Sequence, residues 1–315
     1  MSGLPRYAYL GPEGTFTEMA LRLMVSPAEA EFVPVVDVPT ALGAVRSGDA
    51  DYAVVAIENT VEGGVTATLD TLAEGSPLVI LGEVVLPVEF ELVAREGLEI
   101  ADIHNVGAHP HAWNQVRRWA NQNLPGVLFV PGTSNAAAAE AVAAWKDLGG
   151  IPVDAALAPP GLAARLGLNV LADHIADIEH AATRFVRVGR PEALPAPTGH
   201  DKTTLSVHLP TDRAGALLEM LEQFSVRGVN LSRIESRPRS DRPGEYSFSI
   251  DAAGHIAERR VAEALIGLKR TCPLVVFLGS YPAADPTPTP VAPGTADAAF
   301  VDAEQWVARL VSGGA

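Results

Sequence analysis

The sequence has only one cysteine, Cys272, among its 315 residues. An intramolecular disulfide is therefore excluded, as is usual for proteins of a reducing compartment. No apolar run approaches the roughly 18 residues that a membrane-spanning helix needs. The first six residues also lack the hydrophobic stretch of a signal peptide. We therefore expect a cytoplasmic protein that does not bind membranes.

Basic residues are scarce as well: 23 Lys and Arg stand against 38 Asp and Glu, for a formal net charge of −15. The sequence contains no basic cluster of the kind that neutralises nucleic-acid phosphates, so no nucleic-acid partner is expected. Such a charge repels anions at long range, so an anion site must rely on local donors. Hydrophobic residues make up 48% of the chain, which excludes a disordered protein and suffices for about two domains.

Strand and helix signals alternate over about the first 190 residues. Residues 52–57 are a continuous apolar run, which is typical of a strand buried on both faces. Thr15 and Glu18 have capping-box spacing and predict a helix that begins near Phe16. Further strands are predicted at residues 7–10, 32–36, 78–81, 84–94, 126–130 and 155–158. The alternation predicts an α/β unit with one or two mostly parallel sheets.

A second unit follows a linker at residues 191–200. Residues 201–282 have the order βαββαβ, which is ferredoxin-like, with a turn at Asp241 and Pro243–Gly244 between the middle strands. Residues 283–299 form a proline-rich linker. Residues 300–315 contain one short amphipathic helix.

Two turns that follow strands open helices, at residues 11–15 and 132–135. The first N–H groups of a helix lack partners and attract anions, so two such ends suit a substrate with two carboxylates. Ordinary capped helices remain the alternative. His104, His109 and His111 match no zinc-binding spacing, so we predict ordinary loop histidines and no metal.

Two short motifs lie at strands. Glu58-Asn59-Thr60 follows the buried strand, where Glu58 is either a solvated turn acid or a group held in a cleft. Thr183 and Phe185 share one face of a predicted strand, and Arg184 points the other way. Taken alone, Thr183 is an ordinary strand residue.

Together and in this order, these motifs resemble those of prephenate dehydratases, over about residues 6–281. The resemblance implies a two-lobed catalytic domain at 1–190, similar to a periplasmic-binding-protein cleft, and an ACT regulatory domain at 201–282. It implies dehydration and decarboxylation of prephenate to phenylpyruvate in phenylalanine biosynthesis, without a cofactor. An arogenate dehydratase and a non-catalytic amino-acid sensor are the alternatives.

The resemblance also implies roles for residues. Thr183, Glu58 and Asn59 would be catalytic, with Thr183 donating to the departing hydroxyl and Glu58 orienting the network or acting as the acid. Substrate-binding residues would be Thr15, Thr60, Gln115, Ser134, Asn135, Arg184 and Phe185. The chain departs from the family where it reads Ala108-His109-Pro110-His111 in place of the usual Ser-His-Pro-Gln, and where Phe90 replaces a frequent histidine. Ala108 removes one donor, whose work Ser134, Asn135 or Gln115 must cover.

In the second unit, Gly215-Ala216-Leu217-Leu218 and Glu235-Ser236-Arg237-Pro238 are similar to the phenylalanine-binding motifs of ACT domains. The implied allosteric site comprises Gly215, Ala216, Leu217, Leu218, Asn230, Leu231, Glu235 and Ser236. A ferredoxin-like unit without a ligand is the alternative. The open edges of its sheet predict a homodimer or a homotetramer.

Overall fold

The computed structural model describes residues 3–209, 213–238 and 246–313. The chain divides into two compact units, one formed by Met1–Val65 and Val84–Phe185 and the other by Thr66–Glu83 and Val186–Ala315. The segment Thr66–Glu83 is thus grouped with the C-terminal half of the chain, although the sequence reading assigns it to the N-terminal domain.

The strands and helices of the described residues alternate as the sequence indicates. The strands are β1 (Arg6–Leu10), β2 (Glu31–Val35), β3 (Tyr52–Asn59), β4 (Gly63–Gly64), β5 (Val79–Pro87), β6 (Glu91–Ala94), β7 (Asn105–Ala108), β8 (Leu128–Pro131), β9 (Asp147–Leu148), β10 (Ile151–Pro152), β11 (Ala155–Ala158), β12 (Asn169–Ala172), β13 (Ala182–Gly189), β14 (Asp201–His208), β15 (Leu231–Pro238), β16 (Tyr246–Ala253) and β17 (Leu274–Pro282). The α-helices are α1 (Phe16–Met24), α2 (Val38–Ser47), α3 (Thr66–Ala73), α4 (Pro110–Asn123), α5 (Asn135–Ala143), α6 (Leu162–Leu166), α7 (Ala216–Ser225), α8 (Arg259–Thr271) and α9 (Asp297–Val311).

Two sheets organise the first half of the chain. One has the order β2-β1-β3-β13-β5, with β1 parallel to both of its neighbours, and β5 and β13 run across the division between the units. The other has the order β12-β6-β11-β7-β8 and mixes parallel and antiparallel pairs. Each sheet packs its own apolar core against helices. The first unit is therefore α/β, as predicted, but its second sheet is mixed rather than mostly parallel.

The helix start predicted from the capping box is confirmed. Helix α1 begins at Phe16, and Thr15 caps it by accepting a hydrogen bond from the Glu18 N–H at 3.3 Å. The single strand predicted at 84–94 is wrong, because β5 ends at Pro87 and β6 begins at Glu91. Residues 88–90, the last of which is Phe90, form a loop between the two strands.

The second unit contains the predicted βαββαβ order, from β14 through α7, β15, β16 and α8 to β17. These strands form an antiparallel sheet with the order β15-β16-β14-β17. One apolar core joins the sheet to α7 and α8. The turn predicted at Asp241 and Pro243–Gly244 lies outside the described residues. The last helix, α9, begins at Asp297, earlier than predicted, and none of the described helices is long and apolar enough to cross a membrane.

Candidate active site

A cleft of about 690 Å³ lies in the first unit. Ends of strands and starts of helices line it, as expected for an α/β fold. Part of its wall is apolar and includes Val88, Phe16 and Phe90. The rings of Phe16 and Phe90 meet edge to face, with centroids 5.7 Å apart. Among the described residues, no Asp, Glu, Lys or Arg side chain lines the cleft.

Thr183 and Asn59 meet at this cleft. Thr183 on β13 is 8% exposed, and its Oγ1 accepts a hydrogen bond from Asn59 Nδ2 at 2.9 Å. The other end of the Asn59 amide, Oδ1, accepts from the Val61 N–H at 2.8 Å. Because a backbone N–H can only donate, this contact fixes which way the amide points. Thr183 Oγ1 therefore accepts a hydrogen bond from Asn59, and its own hydroxyl hydrogen is available to another acceptor.

Three helices begin at the cleft: α1, α4 and α5. Their N-caps are Thr15, His109 and Ser134, and each side chain accepts a hydrogen bond from a backbone N–H of its own first turn, at 3.3, 3.3 and 3.0 Å respectively. The N-terminal end of a helix carries a partial positive charge. The cleft thus gains an anion-attracting character without a lysine or an arginine in its described lining.

Gln115 and Asn135 also line the cleft. Asn135 Oδ1 accepts a hydrogen bond from the His109 N–H at 2.8 Å and so joins α5 to the start of α4. Gln115 is 6% exposed, and its Oε1 has no hydrogen-bond partner among the described residues. A buried acceptor without a partner is costly, which makes Gln115 a candidate for a hydroxyl-bearing ligand.

Four predicted site residues do not line the cleft. Arg184 is buried and its Nη1 donates to Glu58 Oε2 at 3.2 Å. Thr60 holds the start of β13, because it exchanges two hydrogen bonds with Ala182, each 2.9 Å long. Phe185 is 2% exposed within the apolar core of the first sheet. The predicted substrate contacts of Thr60, Arg184 and Phe185, and the predicted acid role of Glu58, find no support in this geometry.

Two histidines lie at the cleft although the sequence predicts ordinary loop residues. His109 and His111 are in its lining, with ring centroids 4.9 Å apart, and His111 Nδ1 lies 2.5 Å from Glu62 Oε2. Burial, and then the neighbouring His111, lower the pKa of His109, against an opposing effect of Glu62. The sequence contains a signal for this placement of His111. Positions 111 and 115 are one helical turn apart, so His111 and Gln115 lie on the same face of α4.

The two departures from the family pattern have different outcomes. Ala108 is fully buried in β7 and does not line the cleft. Phe90 does line it and contributes to the apolar wall. The three residues named to compensate for Ala108, which are Ser134, Asn135 and Gln115, all line the cleft. Among the described residues, no group of His, Cys, Asp or Glu is arranged to hold a metal ion.

The residues predicted for the allosteric site lie on two elements of the second unit. Gly215 is the N-cap of α7 with φ +87°, and Ala216, Leu217 and Leu218 form the first turn of that helix. Asn230 precedes β15, which carries Leu231, Glu235 and Ser236 and stands at the end of the strand order. Leu217 and Leu218 are 41% and 60% exposed, which leaves apolar surface at the start of α7.

Comparisons with known proteins agree with one another. The sequence profile of the family described as Prephenate dehydratase matches residues 7–193. A prephenate dehydratase of Amycolatopsis methanolica is 44% identical over 311 residues, which cover 98% of this chain and 99% of that protein.

Two solved structures are also similar. A prephenate dehydratase in complex with L-Phe from Arthrobacter aurescens is 52% identical, with a TM-score of 0.90 and coverage of 98% of this chain and 99% of that one. A protein described as GqqA, a novel type of quorum quenching acylase, is 30% identical, with a TM-score of 0.76 and coverage of 89% and 98%. With its family profile and near-complete coverage at 44% identity, this chain belongs to the prephenate dehydratase family.

Proposed function

We propose that the cleft converts prephenate to phenylpyruvate with Thr183 as the hydrogen-bond donor to the leaving hydroxyl. The Asn59–Thr183 hydrogen bond carries this proposal. It occupies the Thr183 oxygen as an acceptor, so the free hydroxyl proton is directed to a ligand. Asn59 is therefore a positioning residue, and Thr183 is the group that touches the reacting atoms.

The chemistry needs such a donor. In prephenate, the bond from the ring to its hydroxyl and the bond from the ring to its carboxylate both break. The electron pair of the second bond completes the aromatic ring, the carboxylate leaves as carbon dioxide, and the departing hydroxide takes up a proton to become water. A preorganised donor at the developing hydroxide is typically worth ~10²–10³ in rate.

The remaining lining suits the rest of the substrate. The starts of α1, α4 and α5 provide N–H groups and partial positive charge for carboxylates. Gln115 Oε1 is available to accept a hydrogen bond from the substrate hydroxyl. Phe16, Val88 and Phe90 provide an apolar wall for the ring. A carboxylate that becomes neutral carbon dioxide loses its charge, so apolar surroundings favour the transition state over the dianion.

The lining also favours prephenate over arogenate. Arogenate carries an ammonium group where prephenate has a keto oxygen, and a carboxylate side chain would be its strongest partner in the cleft. No carboxylate side chain is part of the described lining. The nearby Glu62 is already paired with His111. The cleft is therefore built for the keto acid.

We further propose that residues 1–190 form a two-lobed domain similar to a periplasmic-binding-protein cleft and that residues 201–282 form an ACT domain that senses phenylalanine. The ferredoxin-like order of β14 to β17 supports the second assignment, as does the L-Phe complex of the Arthrobacter aurescens relative. The allosteric residues are those at the start of α7 and along β15. Pairing of the open sheet edges with a second copy gives a dimer or a tetramer. We place the protein in the cytoplasm, in keeping with its single cysteine.

The test is the formation of phenylpyruvate from prephenate, with and without phenylalanine and beside arogenate. We expect turnover of prephenate, much less of arogenate, and inhibition by phenylalanine. Absence of turnover would refute the catalytic proposal and leave a non-catalytic sensor. An acylase assay on the same preparation addresses the similarity to GqqA, and activity there that survives Thr183→Val would need a second site.

A further inference from the structure

An imidazole and a carboxylate pair at the cleft, and their role is not explained by the mechanism above. His111 is near the start of α4, and its Nδ1 lies 2.5 Å from Glu62 Oε2. Glu62 is in the turn that joins β3 to β4, three residues after Asn59. The imidazole of His109 also lies beside His111, with the two ring centroids 4.9 Å apart.

We propose that His111, held by Glu62, is a specificity-determining residue that binds a carboxylate of the dianionic substrate. This inference rests on the proposed function. The two histidines are the only side chains in the described lining that can carry a full positive charge. Helix ends supply partial charges, and the chain as a whole carries −15, which opposes the approach of a dianion.

The contact between His111 and Glu62 orients the imidazole for binding a carboxylate. With Glu62 at Nδ1, the other ring nitrogen of His111 remains for a ligand. An imidazole between two carboxylates can donate to both only when both nitrogens carry protons. The substrate-bound form of His111 is therefore the charged one, with Glu62 at one ring nitrogen and the substrate carboxylate at the other.

A purely structural role explains the pair poorly. The side chains of His111 and Glu62 are 61% and 41% exposed, and such surface pairs contribute little to stability.

The chain offers a matched control outside the cleft. His174 Nδ1 lies 3.4 Å from Glu89 Oε2, with the two side chains 72% and 47% exposed. Neither of these residues lines the cleft. His174→Gln therefore removes a surface histidine from a glutamate pair without touching the substrate site, and it should leave the Michaelis constant unchanged.

The experiment is steady-state kinetics on prephenate for the wild type, His111→Gln, Glu62→Gln, the double variant and His174→Gln. We expect His111→Gln to raise KM about 3- to 10-fold, the range of one charged hydrogen bond partly open to water, with kcat within about twofold. Glu62→Gln should raise KM less, and the double variant should resemble His111→Gln because the two groups act as one unit.

The salt dependence of KM provides a readout that a structural role would not move. Increasing salt should raise KM more in the wild type than in His111→Gln, because the variant lacks the charged donor that salt screens.

An unchanged KM in His111→Gln, or an equal rise in His174→Gln, would overturn the inference. A fall in kcat at constant KM would also overturn it, because His111 would then act in the chemical step. If the wild type does not turn over prephenate, the proposed function fails instead. In that case calorimetric titration of prephenate into the wild type and His111→Gln still decides whether position 111 binds the dianion. Thermal melts followed by circular dichroism verify that the variants fold.

Discussion

The sharpest prediction concerns the proton on Thr183. Thr183→Val has nearly the same shape but lacks the hydroxyl, so it removes the proposed donor to the leaving group. Loss of one such donor typically lowers kcat by ~10²–10³, or about 2.7–4 kcal/mol of transition-state stabilisation. KM should change little, because the hydrogen bond strengthens only as negative charge develops on the departing oxygen. Thr183→Ser should retain more activity.

Asn59→Asp tests the direction of the Asn59–Thr183 hydrogen bond. In this variant one carboxylate oxygen still accepts from the Val61 N–H, but the group that faces Thr183 becomes an acceptor. The Thr183 hydroxyl then donates to that oxygen and no longer to the substrate. We expect kcat to fall nearly as far as in Thr183→Val, and KM to rise because a negative charge now stands beside a dianion.

The variant that carries both Asn59→Asp and Thr183→Val completes a double-mutant cycle for this pair. If Asn59 acts only through Thr183, then Asn59→Asp combined with Thr183→Val should be little slower than Thr183→Val alone. The assay is initial-rate formation of phenylpyruvate over a range of prephenate concentrations. A Thr183→Val protein with near-wild-type kcat would refute the assignment, and fully multiplicative losses would show that the two residues act independently.

Three further predictions follow from the site and its surroundings. Burial and the neighbouring His111 lower the pKa of His109, so the midpoint of its NMR titration should lie below the usual value of about 6.5. The midpoint should move upward in His111→Gln, and a wild-type midpoint above about 6.5 would contradict this reasoning. Burial raises the pKa of Glu18, but a backbone N–H and two arginines outweigh it, so the net pKa is lowered. That stabilisation is present above the unfolded-state value near 4.3 and is lost as the pH falls through the folded value. Urea unfolding of Glu18→Gln should therefore show a lower free energy of unfolding than the wild type at pH 7, and this difference should shrink as the pH falls through the folded-state pKa of Glu18. Gly215 has φ +87°, so Gly215→Leu adds strain and bulk at the start of α7; calorimetry should show loss of phenylalanine binding while prephenate turnover persists.

Local signals predict much of this fold. Thr15 and Glu18 give the start of α1 because the Thr15 hydroxyl accepts from the Glu18 N–H, which has no partner within the helix, while the Glu18 carboxylate accepts from the Gly14 N–H just before it. In the second unit, apolar periodicity switches between two and 3.6 residues at each element, which gives the order βαββαβ. In both cases the information lies within a few residues, so tertiary contacts are not needed to read it.

Helix α4 is not predicted, although the sequence carries a signal for it. Its buried positions Ala112, Gln115, Val116 and Ala120 have helical spacing, and Pro110 suits the first helical position. Gln115 is buried because it faces the cleft, so one position of the stripe is polar where a helix normally has an apolar residue. This helix and its N-cap contribute His109, His111 and Gln115 to the site.

The separation of the motif residues follows from strand geometry. Successive side chains of a strand point to opposite faces, so Glu58 and Asn59 cannot both face the cleft, and neither can Thr183 and Arg184. Because β3 and β13 are neighbours in the sheet, the two residues on each face meet across the strands. Asn59 and Thr183 meet at the cleft, and Glu58 and Arg184 form an ion pair away from it. Two adjacent residues of one motif therefore have different roles: one faces the cleft, and the other forms an ion pair between the two strands.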